Sequence, residues 1–202
     1  MKTFSSKNRK IILDDDKILI KKILNGEKSS FEEIMRKYNK RIFNFVLRMV
    51  RNEEVAIELT QEFFIKIFTK LYKYNFEYKF STWAYRICYN LVIDYIRKNQ
   101  TYVDSLDDDS TYKKNSYMRE SAIKEDGADV LEREEVKSYL WKTVSLLPVK
   151  YKELILLRYI KELKYDEISE VTNLPIGTVK NRIFKAKDLL RKEIEKDGML
   201  EK

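Results

Sequence analysis

The residues best able to do chemistry in this chain are cations set at helical spacing near its end. Between Tyr165 and Ile194, one helix side offers Lys180, Asn181, Arg182, Lys185, Lys187, Arg191 and Lys192. The other side carries Val179, Ile183, Ala186, Leu190 and Ile194, an apolar stripe at helical period. Asn173-Leu174-Pro175 precedes it as a tight turn, because Asn tolerates a left-handed backbone and Pro favours a helix start. A short helix with Ile168 and Val171 facing inward comes before the turn. Short helix, turn and basic second helix are the layout of a helix-turn-helix that enters a DNA major groove. A helical hairpin with a solvated basic face is the plainer reading of the same residues.

A second group lies between Lys70 and Asn90, where aromatics and cations interleave: Tyr72, Lys73, Tyr74, Phe76, Tyr78, Lys79, Phe80, Trp83, Tyr85, Arg86 and Tyr89. Splayed bases stack on aromatic faces while cations follow the phosphates, at about 1–3 kcal/mol per stacked base. Flipping a base out of a duplex costs a few kcal/mol, so two or three such contacts suffice to hold a strand open. Phe80 and Trp83 serve equally well as bundle core. Tyr74, Phe76 and Tyr78 fall in an expected loop, where core packing is a poor explanation for three aromatics in five residues.

The elements that must position these groups follow from composition. The 202 residues leave room for one large or two small domains. With only four Gly and two Pro, helix breakers are scarce, and an all-α protein is expected. The formal charge of +8 points to a polyanionic partner. No His and a single Cys exclude a His-based zinc site, a His general base and an internal disulfide. No catalytic residue, metal ligand or cofactor is expected. Cys88 sits among apolar helix residues as a core thiol. No stretch reaches the ~18–20 apolar residues of a membrane span, and Met1–Lys10 has no signal-peptide core, so a cytoplasmic protein is expected.

Apolar periodicity and charge divide the chain into two small helical domains joined by a flexible acidic linker. The expected parts are a tail over 1–13, a helical domain over 14–98, the linker over 99–134, a helix-turn-helix domain over 135–195 and a tail over 196–202. Asp14 caps a first helix, which ends near Asn25-Gly26. Ser30, with Glu33 as capping-box partner, opens a second helix whose stripe is Phe31, Ile34, Met35, Tyr38, Ile42, Phe45, Val46 and Met49. Asn52 starts a third and Ser81-Thr82 a fourth, to about Lys98. Residues 99–134 hold 10 carboxylates against 5 cations and lack sustained apolar periodicity, which reads as disorder, or as a polar loop with a short helix near Ser116–Lys124. The second domain opens with Val136, Tyr139, Leu140, Val144 and Leu147 before Pro148.

Phe80-Ser81-Thr82-Trp83-Ala84-Tyr85-Arg86-Ile87, with Asn90, Asp94 and Arg97, resembles the promoter-melting segment of bacterial sigma factors. Leu59-Thr60-Gln61-Glu62-Phe63-Phe64-Ile65-Lys66-Ile67-Phe68 resembles the helix by which that family grips the clamp of core RNA polymerase. Leu146-Leu147-Pro148, Leu154 to Arg158, Tyr165-Asp166-Glu167-Ile168 and Pro175-Ile176-Gly177-Thr178-Val179-Lys180-Asn181-Arg182 resemble the family's −35-binding domain. Two domains and a short linker fit the extracytoplasmic-function subgroup, over about residues 15–98 and 132–194.

The resemblance implies a transcription initiation factor without catalysis of its own, partnered by core RNA polymerase, promoter DNA and an anti-sigma protein. It places Leu59, Gln61, Glu62 and Phe64 on the polymerase clamp. Tyr74, Phe76, Glu77, Tyr78 and Lys79, with Trp83, Arg86 and Asn90, would recognise and melt the −10 element. Thr178, Lys180, Asn181, Arg182, Phe184, Lys185 and Lys187 would meet the −35 element. Among these, Lys180, Lys185 and Asn181 suit base edges, Phe184 a thymine methyl, and Arg182 and Lys187 phosphate. The acidic linker would thread the RNA exit path. The bulk of Asn75-Phe76-Glu77-Tyr78-Lys79, where the family often has Gly and Ser, departs from the pattern and leaves the preferred base open. A conventional helix-turn-helix regulator with a sensing or dimerising N-terminal domain is the alternative, but needs neither the Gln61–Phe64 segment nor the aromatic loop.

Overall fold

The computed structural model describes residues 15–104 and 131–196. The described chain is helical throughout: α1 (Asp15–Leu24), α2 (Ser29–Val50), α3 (Glu53–Lys70), a 3-10 turn (Leu71–Lys73), α4 (Phe80–Asp104), α5 (Leu131–Leu146), α6 (Val149–Ile155), a π-helical turn (Leu156–Ile160), α7 (Tyr165–Thr172) and α8 (Ile176–Lys196). The expected tail over 1–13, the Asp14 cap, residues 105–130 of the expected linker with the short helix near Ser116–Lys124, and residues 197–202 lie outside the described residues, while Lys196 of the expected second tail belongs to α8.

Local chemistry sets most helix ends. Arg51 closes α2 in the left-handed region (φ 59°), its N–H donating to the Leu47 carbonyl at 2.8 Å. Asn52 then caps α3, accepting from the Val55 N–H at 3.0 Å. Asn173 ends α7 at φ 57°. The capping box expected at Ser30 does not form. Lys28 occupies the cap position of α2 without a side-chain bond, and the Ser30 hydroxyl donates to Glu27 Oε1 at 2.8 Å. Helix α4 continues past its expected end near Lys98, since no Gly or Pro interrupts it and Asn99 Nδ2 donates back to the Tyr95 carbonyl.

Helix α2 is the axis of the first domain and packs against α1, α3 and α4. Its expected stripe forms the core through Ile34, Tyr38, Ile42, Phe45, Val46 and Met49, whereas Met35 is exposed and Phe31 only half-buried. The Phe80 ring is buried between Tyr38, Tyr74 and Trp83, with centroids at 5.4, 5.6 and 5.7 Å. Asp16, buried on α1, accepts from Lys37 Nζ and Tyr38 Oη at 2.5 Å each. Desolvating a carboxylate is costly, and these two charge-assisted bonds offset that cost while fixing α1 on α2. Cys88 is fully buried and burial pushes its thiol up to about 12, so it is core, as expected.

The second domain is built on Leu154, Leu156, Leu157, Ile168, Val171, Val179, Ile183 and Ala186. It packs directly on the first, α7 against α4 and α6 against α2. Lys152 Nζ donates to the Met49 carbonyl at 3.2 Å, and Lys161 Nζ to the Arg41 carbonyl at 2.6 Å. The Arg48 guanidinium lies 4.0 Å from the Trp141 ring centroid. Phe80→Ala is expected to lower stability by about 3–5 kcal/mol, since it empties the contact of three rings. The check is a urea titration, in which the midpoint falls and the slope stays constant.

Candidate functional site

Helix α8 owes its orientation to Val179, Ile183 and Ala186, which are buried, while Leu190 and Ile194 of the expected stripe are half-buried. The opposite side therefore faces solvent. Lys180, Asn181, Lys185 and Lys187 are exposed there, and Phe184 is 75% exposed. Burial provides no reason for a phenyl ring at that position, whereas an apolar contact partner would. Thr178 is half-buried beside Asn181 and Lys185. With Lys150, Tyr151 and Arg182 these three line a cleft of about 250 Å³ whose only charged groups are cations. Arg182 is turned partly inward, 3.9 Å from Glu153. Lys187 lies over the Tyr159 ring at 5.2 Å, and hydrogen bonding to Tyr159 raises its pKa.

The loop before α4 is a hydrogen-bonded turn. Tyr78 N–H donates to the Asn75 carbonyl at 3.2 Å, and Glu77 N–H to Asn75 Oδ1 at 2.9 Å. Tyr74 corrects the expectation from sequence. Its ring is buried, 5.0 Å from Phe76 and 5.5 Å from Trp83, and its hydroxyl donates to the Tyr78 carbonyl at 2.6 Å. Two of the three loop aromatics thus pack inward or half-inward, because the 3-10 turn points Tyr74 at Phe80. Of the three, Tyr78 alone is exposed, at 53%, flanked by exposed Glu77 and Lys79. Trp83 is half-buried, and Arg86 and Asn90 are exposed on α4.

Helix α3 brings a second correction. Leu59 and Phe64 are each 6% exposed and belong to the core with Phe63 and Ile67. Phe64 meets Phe63 at 5.0 Å and Phe31 at 6.5 Å. Their side chains are spent on packing and offer no surface. The exposed face instead holds Ile57, Glu58, Gln61, Glu62, Ile65 and Phe68, with Ile65 64% exposed and Glu62 paired to Lys66 at 2.8 Å. A signal for this was present in the sequence. Ile57 and Ile65 stand off the stripe Ala56-Leu59-Phe63-Ile67, so α3 has more apolar residues than one core face can absorb.

Charge crosses the junction of the two domains at several points. Lys79 of the loop pairs with Glu167 of α7 at 2.8 Å, and the other Glu167 oxygen accepts from the Lys164 N–H. Tyr89 of α4 donates to Glu153 of α6 at 3.2 Å. Burial raises Glu153 to about 7 despite Tyr89, Arg182 and Lys152 around it. Burial, then the nearby Arg51, lowers Lys152 to about 8, and burial, then Arg48, lowers Lys161 to about 8. Among the described residues no group of His, Cys, Asp and Glu could hold a metal ion, and no helix is long and apolar enough to cross a membrane.

Residues 34–102 match the family description "Sigma-70 region 2", and residues 137–190 match "Sigma-70, region 4". The ECF RNA polymerase sigma factor SigW of Bacillus subtilis is 35% identical over 178 residues, 87% of this chain and 94% of that protein. The ECF RNA polymerase sigma-E factor of Escherichia coli K12 is 28% identical over 182 residues, 89% and 94% of the two chains. Among solved structures, CnrH in complex with the cytosolic domain of CnrY superposes with a TM-score of 0.66 at 18% identity, covering 91% of this chain and 99% of that one. RpoE from Bartonella quintana, in complex with the anti-sigma factor NepR, gives 0.63 at 18% identity, covering 83% and 98%. Both likenesses concern the fold.

The buried charges predict a pH profile with a trough. Glu153 binds its proton more tightly folded than unfolded, so its contribution to stability falls as pH rises from about 4.5 to about 7. Lys152 and Lys161 hold theirs less tightly when folded, so stability recovers from about pH 8 upward, until the buried Cys88 thiol, which ionises more readily unfolded, opposes the gain above about pH 9. Resistance to urea across this range should be lowest near pH 7–8, between the two arms. Glu153→Gln should flatten the acidic arm and leave the alkaline one.

Proposed function

Because this chain belongs to the extracytoplasmic-function family of RNA polymerase sigma factors, we propose that three of its faces divide the work of promoter recognition. Helix α8 reads the −35 element, the loop before α4 with the exposed side of α4 reads and melts the −10 element, and the outer face of α3 docks on core polymerase. The observation that carries this is the α8 surface, where Phe184 stands 75% exposed among Lys180, Asn181 and Lys185. In a major groove, Lys180 and Lys185 reach guanine acceptors or phosphates, Asn181 a base edge and Phe184 a thymine methyl. Thr178 at the helix start, with Arg182 and Lys187, holds phosphate and fixes the register.

At the −10 element, Tyr78 offers a ring to a flipped base, Glu77 accepts from a base amino group, and Lys79 and Arg86 meet the strand's phosphates. Asn90 and Trp83 face the same strand from α4. On polymerase, Gln61 and Glu62 keep the role the resemblance implies, and exposed Ile57, Ile65 and Phe68 take over the apolar anchoring from buried Leu59 and Phe64. The chemistry of nucleotidyl transfer stays with the polymerase, and this chain supplies specificity and strand opening in the cytoplasm. The match of residues 34–102 to sigma region 2 sets the conventional regulator aside. An anti-sigma protein is a further proposed partner, in keeping with the RpoE structure captured with one.

The closed packing has a functional consequence. The −35 and −10 elements lie roughly 25 base pairs apart, about 85 Å at about 3.4 Å per pair. The Lys79–Glu167 pair joins the −10 loop to the helix-turn-helix, so reading both elements at once requires the domains to part.

Reconstituted run-off transcription with core polymerase tests these assignments. Lys185→Ala should weaken discrimination among −35 variants by about 1–3 kcal/mol while leaving −10 preferences unchanged. An unaltered −35 ranking removes Lys185 from the groove. On α3, Ile65→Asp should cost about 2 kcal/mol or more of core affinity in a binding titration without loss of folded structure. Retained affinity moves the docking face elsewhere.

A further inference from the structure

The turn that carries Glu77 and Tyr78 is gripped from outside by α1. Lys17 Nζ donates to the Phe76 carbonyl at 2.6 Å, in a half-buried setting 59 residues away in sequence. One turn later Lys21 Nζ stands 5.7 Å from the Phe76 ring centroid. The carbonyl that Lys17 holds belongs to a particular peptide. In the turn Asn75–Tyr78, closed by Tyr78 N–H to the Asn75 carbonyl, the Phe76–Glu77 peptide is the central one. The orientation of the central peptide is what distinguishes the common turn types, and with it the direction of the residue that follows.

The anchor itself is fixed. Asp16, the residue before Lys17, is buried and bonded to Lys37 and Tyr38 of α2. Tyr38 touches Phe80, and Phe80 touches Tyr74, whose hydroxyl holds the Tyr78 carbonyl. The loop is therefore held at Phe76 from α1 and at Tyr78 from the aromatic cluster, and both holds trace back to the same seating of α1 on α2. Nothing in the packing of α1 requires a cation at position 17. Its apolar neighbours Ile20 and Ile23 supply the buried surface.

We propose that Lys17 is a positioning residue for −10 recognition: by holding the Phe76 carbonyl it fixes the direction in which Glu77 and Tyr78 face, and so determines which base the loop prefers. This rests on the reading of the loop given above. A preorganised turn presents one donor–acceptor pattern to an extruded base. A turn free to reorient presents several, and discriminates less while still binding.

The test uses the full chain with core polymerase on a promoter panel carrying single-base changes across the −10 element and, separately, across the −35 element. Lys17→Met keeps side-chain length and removes the donor, and Lys17→Arg restores a cationic donor. The expected result is a compression of the −10 activity range by about threefold to tenfold in Lys17→Met, with the −35 range unchanged and most of the −10 range recovered in Lys17→Arg. Three results overturn the proposal: an unchanged −10 range in Lys17→Met, an equal loss at both elements with a lowered melting temperature, or an arginine variant no better than the methionine one. Tyr78→Ala in the same panel separates the two levels of inference. If it alters −10 preference and Lys17→Met does not, the role of Lys17 fails and the loop reading stands. If neither alters it, the loop reading fails as well.

Discussion

The ring of Phe80 sits where three parts of the chain meet. Tyr38 reaches it from α2, Tyr74 from the turn after α3, and Trp83 from the next turn of α4. The contacts with Tyr38 and Tyr74 are edge-to-face, an arrangement specific in angle as well as favourable in area, so they constrain direction as well as distance. With Phe80 fixed, Tyr74 has one place to go, and its hydroxyl then holds the loop that follows. The exposed Glu77 and Tyr78 are consequences of that buried cluster. So is the start of α4, whose outward side carries Arg86 and Asn90.

The second domain repeats the logic with aliphatic residues. Val179, Ile183 and Ala186 take the inner side of α8, which leaves a cationic and amide-bearing outer side with one exposed phenyl ring. Polar side chains are presented because the helix has no alternative way to bury its stripe. Between the domains the interaction is of another kind. Glu153 and Lys152 are ionisable groups buried at the junction and Lys161 is half-buried there, bonded to Tyr89, Met49 and Arg41, with Arg182 also near Glu153. Such a junction depends on ionisation and is costly to keep dry, unlike the two cores it joins. That difference suits the separation of the domains proposed above.

Much of the fold was legible in the chain. The period of Ile34, Tyr38, Ile42 and Phe45 marks the axis of the first domain, and Asn52 and Asn173 mark helix boundaries through bonds and backbone angles local to them. Scarce Gly and Pro indicated helices throughout. The site was legible only in part. Lys180, Asn181, Lys185 and Lys187 stand on the exposed side of α8 that periodicity assigns them, whereas Arg182 of the same set is half-buried against Glu153. Tyr74, Leu59 and Phe64 suit recognition by type and position, yet they are core. An aromatic or aliphatic residue has the same chemistry in a pocket as on a surface, and only its neighbours decide which.

Sequence by itself determined the helices, the apolar stripes and the excess of cations, because these depend on spacing within a few residues and on composition. Tertiary structure decided which of the apolar residues are left over. It exposed Ile57 and Ile65 on α3, enclosed Tyr74 beneath the loop, and brought Lys17 to a carbonyl far along the chain. It also set Glu153 against Arg182 of α8 and Glu167 against Lys79 of the loop before α4. Each of these pairings joins residues from different helices, and local periodicity carries no information about which helix lies opposite.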